Sequence, residues 1–353
     1  MMRLAAPRPP TSPWQRLYGA GHALRRRWYR GRARRLPRPV VSVGNLQWGG
    51  GGKTPLVAAI AAHLRDRGVT VCVLSRGHGG RGRGERVVSA GAGPLLPAAD
   101  AGDEPVMLAG DLPGVAVVVG KDRFRAGLHA LARLGATPGV FLLDDGFSHL
   151  ALHRDLDLLA LPAADPFGGG RLLPAGRLRE PLAASARADA AVLTGTAAAR
   201  TAGAGEDLAA ALRPHGFVGR AFASFTRAGP PVASAGAGAL PVAGSKALLV
   251  SAIARPEGFA AAAGGLDFTI VGELRFRDHY PFPAASLRRI EALAAARGAT
   301  FVIATAKDGV KLRGRLGVPL VELPIRAEPE PDFWIWLDQE LDLAIDRLRA
   351  EEA

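Results

Sequence analysis

The stretch of sequence with the clearest chemical meaning is a glycine-rich loop at residues 49–52. Lys53 and Thr54 follow it directly, and the apolar run 39–43 before it predicts a buried strand. Because glycine has no Cβ atom, successive backbone N–H groups in such a loop can point at one anion. Lys53 would then reach the β- and γ-phosphates of a nucleotide, and Thr54 would hold Mg²⁺. The predicted phosphate-binding residues are Gly49, Gly50, Gly51, Gly52, Lys53 and Thr54. Gln47 stands where the usual pattern has its first glycine, so a plain glycine-rich turn is the alternative.

Two adjacent carboxylates, Asp144 and Asp145, form the second candidate. They follow the apolar run 140–143, which predicts another buried strand. Parallel strands deliver the residues at their carboxyl ends to the mouth of the sheet, so Asp144 would lie beside the Mg²⁺ of a phosphate loop. Together with Lys53 and Thr54, this carboxylate indicates phosphoryl transfer. A turn built from two aspartates is the alternative.

Two further positions carry side chains suited to acid/base chemistry. Asp103 and Glu104 begin a predicted helix, where carboxylates commonly serve only as caps that complement the helix dipole. His279 follows Asp278 in a polar segment that predicts a loop, and a histidine beside an aspartate is a candidate general acid or base. A lone loop histidine is more often simply exposed, so neither position identifies a site by itself.

The composition is that of a globular α/β protein. The 353 residues are 48% hydrophobic, enough for one large domain and a smaller one, and the single Cys72 fits a reducing compartment. Short β-branched or leucine-rich runs alternate with helical stretches, the pattern of a P-loop NTPase-like, doubly wound and mostly parallel sheet. The predicted strands are 39–43, 69–74, 115–119, 140–143, 156–161, 190–193, 247–250, 268–271, 301–304 and 320–323.

A segment rich in Ala, Gly and Pro, residues 227–244, marks an expected change of domain, because strand-like runs resume after it. Near the end of the chain, Trp334, Leu337 and Leu341 share one face of a predicted helix. We therefore expect four parts. They are a basic amphipathic segment at 1–36, a nucleotide-binding kinase domain at 37–226, a smaller α/β domain at 227–331, and a helix at 332–353 that packs back on the first domain.

Positive charge is concentrated at the start of the chain. The net charge is +13, residues 3–38 contain eleven arginines, and no acidic residue precedes Asp66. Six apolar residues recur among the arginines at roughly helical spacing, as in a helix that lies on an anionic membrane surface: Trp14, Leu17, Tyr18, Leu24, Trp28 and Tyr29. Nucleic-acid binding and a solvated basic arm are the alternatives. No run of 18 apolar residues predicts a membrane span, and the arginine-broken N-terminus lacks the apolar centre of a cleaved signal peptide.

Several segments, in order along the chain, together resemble the tetraacyldisaccharide 4′-kinases of lipid A biosynthesis. The most specific are Asp-Asp-Gly-Phe at 144–147 and Leu-Leu-Pro-Ala-Gly at 172–176. The other matching segments are 42–46 running into the glycine loop, 75–77, 102–105 and 178–181, with weaker matches at 254–257, 278–280 and 305–308. The resemblance covers nearly the whole chain.

The resemblance implies a kinase that uses ATP and Mg²⁺ to phosphorylate the 4′-hydroxyl of a tetraacyldisaccharide 1-phosphate, at the cytoplasmic face of the inner membrane. In such a kinase Asp103, supported by His279 from the second domain, would activate the hydroxyl, and Lys53 would bind the phosphates. The implied Mg²⁺ ligands are Thr54, Glu104 and Asp144, and the implied substrate contacts are Arg76, Asp145, His149, Arg171 and Arg179. The expected partners are the lipid and an anionic membrane surface, without nucleic acid, and a monomer is expected. Ion pairs within the fold are the alternative role of the arginines.

Five positions depart from the family pattern. The family usually has an aromatic residue at the position of His78, Gln at that of Ser148 and Pro at that of Arg177. It has Ser or Thr at the position of Gly51, and Asn near Gly169. The missing side chains at Gly51 and Gly169 bear on phosphate grip and substrate affinity. Two rival functions also stay open at this point: a P-loop GTPase or metallochaperone-type NTPase, with 305–308 as a degenerate base-reading motif, and a nucleotide-gated membrane or nucleic-acid adaptor.

Overall fold

The protein is described by a computed structural model that covers residues 13–49, 51–196, 203–234 and 239–352. Its strands are β1 Val40–Gly44, β2 Val71–Ser75, β3 Arg86–Ala90, β4 Ala116–Val119, β5 Val140–Asp144, β6 Leu156–Pro162, β7 Ala190–Thr196, β8 Arg220–Ala228, β9 Val232–Ala233, β10 Lys246–Ser251, β11 Thr269–Arg275, β12 Phe301–Thr305, β13 Leu320–Leu323 and β14 Ile325–Pro329. Its helices are α1 Pro13–Tyr29, α2 Lys53–Asp66, α3 Ala98–Ala101, α4 Asp103–Asp111, α5 Arg123–Arg133, α6 Ala204–Leu212, α7 Pro256–Gly264, α8 Ala284–Arg297, α9 Ala306–Leu312 and α10 Pro331–Glu352.

The larger of two sheets has nine strands in the order β14-β8-β7-β6-β1-β5-β2-β4-β3. All neighbours pair in parallel except the two outermost strands, β3 and β14. β1 lies between β5 and β6, so the strand order reverses at β1, and ligand crevices form at such positions in open α/β sheets. The predicted α/β fold with a doubly wound parallel sheet is therefore confirmed.

The smaller sheet has five strands in the order β11-β10-β12-β13-β9, of which only β9 is antiparallel to its neighbour. The inner strands are mainly apolar and buried, apart from the exposed Lys246 at the start of β10, because α7 packs on one face and α8 on the other. This sheet is the predicted second α/β unit. Its α9 packs against α4, which follows β3 in the larger unit.

The chain returns to the larger sheet after the smaller one. β14 pairs antiparallel with β8 at the edge of the larger sheet, and α10 buries Phe333, Trp336 and Leu337 in the core of the same sheet. β14 lies inside the segment 227–331 that was expected to form the smaller domain. The four-part division of the chain otherwise stays a prediction.

The N-terminal helix α1 has one packed face and one exposed face. On the packed side, an Arg25 guanidinium nitrogen donates to the Ser148 carbonyl oxygen at 3.3 Å, and Tyr18 contacts the apolar cluster beside β6 and β7. On the other side, Leu17, Leu24 and Trp28 are 64%, 70% and 62% exposed. Residues 1–12 of the predicted membrane segment lie outside the described residues. Within the described ranges, no helix combines the length and hydropathy needed to cross a bilayer.

Candidate active site

The glycine-rich loop connects β1 to the start of α2 at the centre of the larger sheet. Gly52 has φ +70° and caps α2, and a Cβ atom there would lie 2.7 Å from the Thr194 hydroxyl oxygen. That hydroxyl donates to the carbonyl of Gly51 at 2.8 Å, so β7 supports the loop from the side. Gly49 also has a positive φ, +100°. Gly50 lies outside the described residues.

Lys53 is the first residue of α2, and its ammonium group lies close to one carboxylate and one amide. Its Nζ atom is 3.1 Å from Asp145 Oδ1 and donates to Asn45 Oδ1 at 3.1 Å. Arg179 donates to both oxygens of Asp145, at 2.8 and 3.1 Å, and to Asn45 Oδ1 at 2.6 Å. Burial alone would raise the pKa of Asp145, but Lys53 and Arg179 outweigh it and hold that pKa well below its usual range. Arg179 therefore has the ion pair within the fold that was the alternative to a substrate contact.

Asp144 lies beside the first turn of α2 in a cluster of oxygen atoms. Thr54 Oγ1 donates to its Oδ1 at 3.5 Å, and Ser75 Oγ donates to its Oδ2 at 3.4 Å. Burial, and then the negative charges of Glu104 and Asp145, raise the pKa of Asp144 to about 7. A divalent cation would neutralise this concentration of carboxylates.

The donor set fits Mg²⁺ in particular. Among the described residues, no group of three or more His, Cys, Asp or Glu side chains is arranged to hold a metal ion. Mg²⁺ is commonly bound by one or two carboxylates together with waters and phosphate oxygens, and so needs no closed protein cage. The side chains of Thr54, Glu104 and Asp144 carry hard oxygen atoms of the kind that Mg²⁺ prefers, and Ser75, which was not predicted from sequence, places a hydroxyl against Asp144.

Asp103 and His279 meet across the boundary between the two sheets, although they are 176 positions apart. Asp103 is the buried first residue of α4, and His279 lies in the loop after β11. The Nδ1 atom of His279 is 3.0 Å from Asp103 Oδ2. Burial alone would raise the pKa of Asp103, but the hydrogen bond from His279 and the charges of Lys307 and Lys311 hold it well below its usual range. The same hydrogen bond raises the pKa of His279.

The segment 305–308 does not form a base-reading motif. Asp308 is fully buried, and its Oδ2 accepts from the Ala252 backbone N–H at 2.8 Å and from Thr305 Oγ1 at 2.8 Å. Thr305 Oγ1 in turn accepts from the Asp308 backbone N–H at 3.1 Å, which caps α9. Because the carboxylate joins β10 to α9, it cannot also read a nucleotide base. This geometry argues against the GTPase alternative.

Three of the predicted substrate residues follow different strands of the larger sheet. Arg76 is exposed and directly follows β2, whereas Arg171 is exposed beyond β6, with β1 and β5 between those two strands. His149 is partly buried in the turn region after β5. Burial, followed by the positive charge of Arg123, lowers the pKa of His149 to about 4, so its imidazole is neutral at physiological pH. The structure thus does not assemble these residues into one cluster.

Several residues of the site were not predicted from sequence. Arg123 is a buried first residue of α5, and burial lowers its pKa to about 10 although Asp144 and Asp145 attract its charge. Lys307 pairs with Glu104, with 3.2 Å between Nζ and Oε1. Asn45 and Lys307 lie in segments that resemble the family, so the resemblance could have identified them as site residues. Nothing local marks Arg123 or Thr194, because their roles come from strands and helices that are distant in sequence.

Comparisons with known proteins give a consistent result. Residues 10–342 match the family LpxK, described as tetraacyldisaccharide-1-P 4′-kinase. A tetraacyldisaccharide 4′-kinase of Geobacter sulfurreducens is 43% identical over 284 residues, which are 80% of this chain and 77% of that protein. One of Anaeromyxobacter dehalogenans is 44% identical over 293 residues, 79% of this chain and 74% of that protein. A crystal structure of LpxK from Aquifex aeolicus in complex with ATP is 30% identical, with a TM-score of 0.74, and the match covers 94% of this chain and 98% of that one.

Proposed function

Because the chain belongs to the tetraacyldisaccharide-1-P 4′-kinase family, we propose that the phosphate loop, the Asp144 cluster and the Asp103–His279 pair form one kinase active site. The protein is an ATP-dependent 4′-kinase of lipid A biosynthesis, a phosphotransferase with an alcohol acceptor. The observation that carries the proposed site is the hydrogen bond between Asp103 and His279. It joins the two sheets next to Glu104, a predicted Mg²⁺ ligand.

The reaction requires a base for the sugar hydroxyl. As O4′ forms its bond to the γ-phosphorus, the bond to the β–γ bridging oxygen breaks and ADP leaves, so the hydroxyl proton must be accepted nearby. Asp103 is ionised at neutral pH because its pKa is held low, and its carboxylate is the acceptor that we assign. His279 orients that carboxylate, and Lys53 contacts the phosphates. Thr54, Glu104 and Asp144 would hold Mg²⁺, which would supply positive charge to neutralise the phosphate oxygens.

In the proposed mechanism, contact between the two sheets completes the active site. α4 contributes Asp103 and the smaller unit contributes His279, so the acid/base pair is complete only when the units are in contact. A site that is incomplete when open limits the hydrolysis of ATP by water, because closure also excludes solvent.

Transfer of radiolabelled γ-phosphate from Mg-ATP to detergent-dispersed tetraacyldisaccharide 1-phosphate tests the proposed site. We expect Asp103→Asn to lower kcat by about 10²–10⁴, the usual contribution of a positioned acid or base. Asp103→Asn combined with His279→Gln should cost no more than the larger single effect, because the two residues act as one unit. Asp267→Asn, at an exposed carboxylate of the smaller unit, is the control and should leave kcat unchanged. Wild-type kcat in both single variants would contradict the assignment.

We also propose that α1 binds the surface of an anionic membrane. A tetraacylated substrate cannot leave the bilayer cheaply, since each exposed CH₂ costs about 0.8 kcal/mol, so the enzyme must reach the membrane. The exposed face of α1 carries Leu17, Leu24 and Trp28, with arginines beside them that suit anionic headgroups. Its packed face contacts Ser148, three positions after Asp145, which brings the helix next to the active site.

Sedimentation with vesicles of anionic phospholipid tests this membrane surface. The triple variant Leu17→Ser, Leu24→Ser, Trp28→Ser should lose at least about a hundredfold in vesicle affinity, since burying each such side chain contributes roughly 1.5–3 kcal/mol. Ala20→Ser with Ala23→Ser, at two exposed positions of the same helix, is the matched control. Turnover of detergent-dispersed lipid should persist in every variant. Unchanged vesicle affinity in the triple variant, or tighter binding of the wild type to DNA than to vesicles, would overturn the proposal.

A further inference from the structure

Lys307 lies where the two sheets meet, and its ammonium group is within hydrogen-bonding distance of three polar groups. Its Nζ atom is 3.2 Å from Glu104 Oε1, 3.3 Å from Asp278 Oδ1 and 3.2 Å from Nε2 of His279. The side chain is only 16% exposed, so these contacts are largely shielded from water. The two carboxylates hold the ammonium in place against the histidine ring.

The hydrogen-bonding capacity of these groups leaves one consistent arrangement of protons. An ammonium only donates, so Nε2 of His279 must accept and therefore carries no proton in this geometry. A neutral imidazole then has its proton on Nδ1, and that atom is 3.0 Å from Asp103 Oδ2, an ionised acceptor. The donors run in one direction, from Lys307 through His279 to Asp103.

We propose that Lys307 is a positioning residue that fixes His279 as the Nδ1–H tautomer. The Nε2 lone pair is then used by Lys307 and is not available to the substrate. The hydroxyl proton of the acceptor must therefore pass to an oxygen of Asp103 as the new P–O bond forms. The inference rests on the proposed function of the Asp103–His279 pair and deepens it, because it gives a structural reason why His279 cannot take the place of Asp103 as the base.

Without the ammonium, a different proton position becomes favourable. Asp278 Oδ1 is 3.9 Å from Nε2 of His279, beyond hydrogen-bond length, and its negative charge favours a proton on that nitrogen electrostatically. Among the residues that the structure describes, the charged or titratable groups that face the ring are Asp103, Asp278, Lys307 and His78. Two of these are carboxylates, so the ring would gain a proton on Nε2 once Lys307 no longer donates to it.

Ring-nitrogen NMR of the free, full-length protein with ¹⁵N-labelled histidine reads this proton directly. Spectra are recorded at about pH 8, and the wild-type spectrum is repeated at about pH 9.5 because the pKa of His279 is raised above the ordinary value of imidazole. His279 is assigned from the signals lost in His279→Gln. Lys307→Met removes the donor, and Lys307→Gln keeps a donor without the charge. Lys311→Met is the matched control on the same helix, because it removes an ammonium 3.4 Å from Asp103 Oδ2 that contacts Asp308 instead of His279.

We expect Nε2 to be unprotonated in the wild type, in Lys307→Gln and in Lys311→Met, and protonated in Lys307→Met. Turnover should follow, with kcat about tenfold lower in Lys307→Met and the KM for ATP unchanged. Protonated Nε2 in the wild type, or an unchanged ring in Lys307→Met, would overturn the proposal. Because the spectra need no substrate, that result is distinguishable from failure of the proposed site, which Asp103→Asn tests by activity.

Discussion

Replacing Gly52 with alanine probes the geometry of the phosphate loop, and Gly169 provides a matched control. The φ angles of the two glycines are +70° and +68°, so an alanine at either position carries the same left-handed backbone cost, about 1–2 kcal/mol. Their surroundings differ. A Cβ atom at position 52 would lie 2.8 Å from the Cβ of Thr194, whereas nothing lies within 4 Å of a Cβ atom at position 169.

Thr194 cannot easily make room for that methyl group. The residue is 4% exposed, and its hydroxyl donates to the carbonyl of Gly51 at 2.8 Å and also lies 3.3 Å from the carbonyl oxygen of Leu161. Overpacking of this kind costs about 1–3 kcal/mol beyond the backbone cost. An alanine also removes about 0.4–1 kcal/mol of unfolded-state entropy, which offsets part of the backbone cost in both variants. The expected loss of stability is about 2–4 kcal/mol for Gly52→Ala and about 1 kcal/mol for Gly169→Ala.

Urea unfolding of the wild type and the two variants measures these free energies. The KM for ATP provides a second readout, because a displaced loop no longer directs its N–H groups at the phosphates. We expect it to rise at least about tenfold in Gly52→Ala and to stay within about twofold in Gly169→Ala. Equal destabilisation of the two variants would refute the close packing of Gly52 against Thr194.

Three charged or titratable side chains give three more expectations: those of His279, Asp144 and Arg313. The pKa of His279 is raised above its ordinary value of 6.5 by Asp103, so its stabilising effect is fully present below pH 6.5 and is lost as the pH rises through the folded-state pKa. His279→Gln should therefore lower the free energy of unfolding, measured in urea, more at about pH 5.5 than at about pH 9. Asp144→Asn removes a proposed Mg²⁺ ligand and should raise the Mg²⁺ concentration for half-maximal turnover at least about tenfold. Arg313→Met leaves Glu322, 4% exposed, without its bidentate partner at 2.6 Å, and should cost about 3–5 kcal/mol in urea unfolding.

Each of these three changes has a control of the same residue type. His129→Gln, on α5, is the control for a histidine substitution, and a pH-independent effect of His279→Gln would contradict the ion pair. Asp267→Asn should leave the Mg²⁺ requirement unchanged, and an unaltered requirement in Asp144→Asn would remove Asp144 from the ligand set. Arg275→Met removes an exposed ion pair with Glu273 and should cost less than about 1 kcal/mol. A similar cost for the two arginine variants would contradict the burial of Glu322.

The strands that were predicted from sequence are those whose signal is local. All ten predicted strands occur in the structure, because apolar runs between turn residues are typical of strands covered on both faces. Four strands were missed, namely β3, β8, β9 and β14. β3, β9 and β14 lie at antiparallel edges, and β14 contains Arg326, Glu328 and Pro329 in five residues. Such strands form because a neighbour offers hydrogen bonds, which no local pattern encodes.

The site residues also divide into those that local sequence predicts and those that only the fold brings together. A phosphate loop needs only a strand end, glycines and a lysine that are adjacent in sequence, so residues 49–54 and Asp144 were predicted from the residues themselves. Asp103 and His279 were named as partners only through a family resemblance. Their 3.0 Å contact, and that of Lys307 with the same ring, depend on how α4 and α9 bring the two sheets together. Hydrogen bonds and pKa shifts act over a few ångströms, so the sequence determined which groups are present, and only the tertiary structure decided which of them meet.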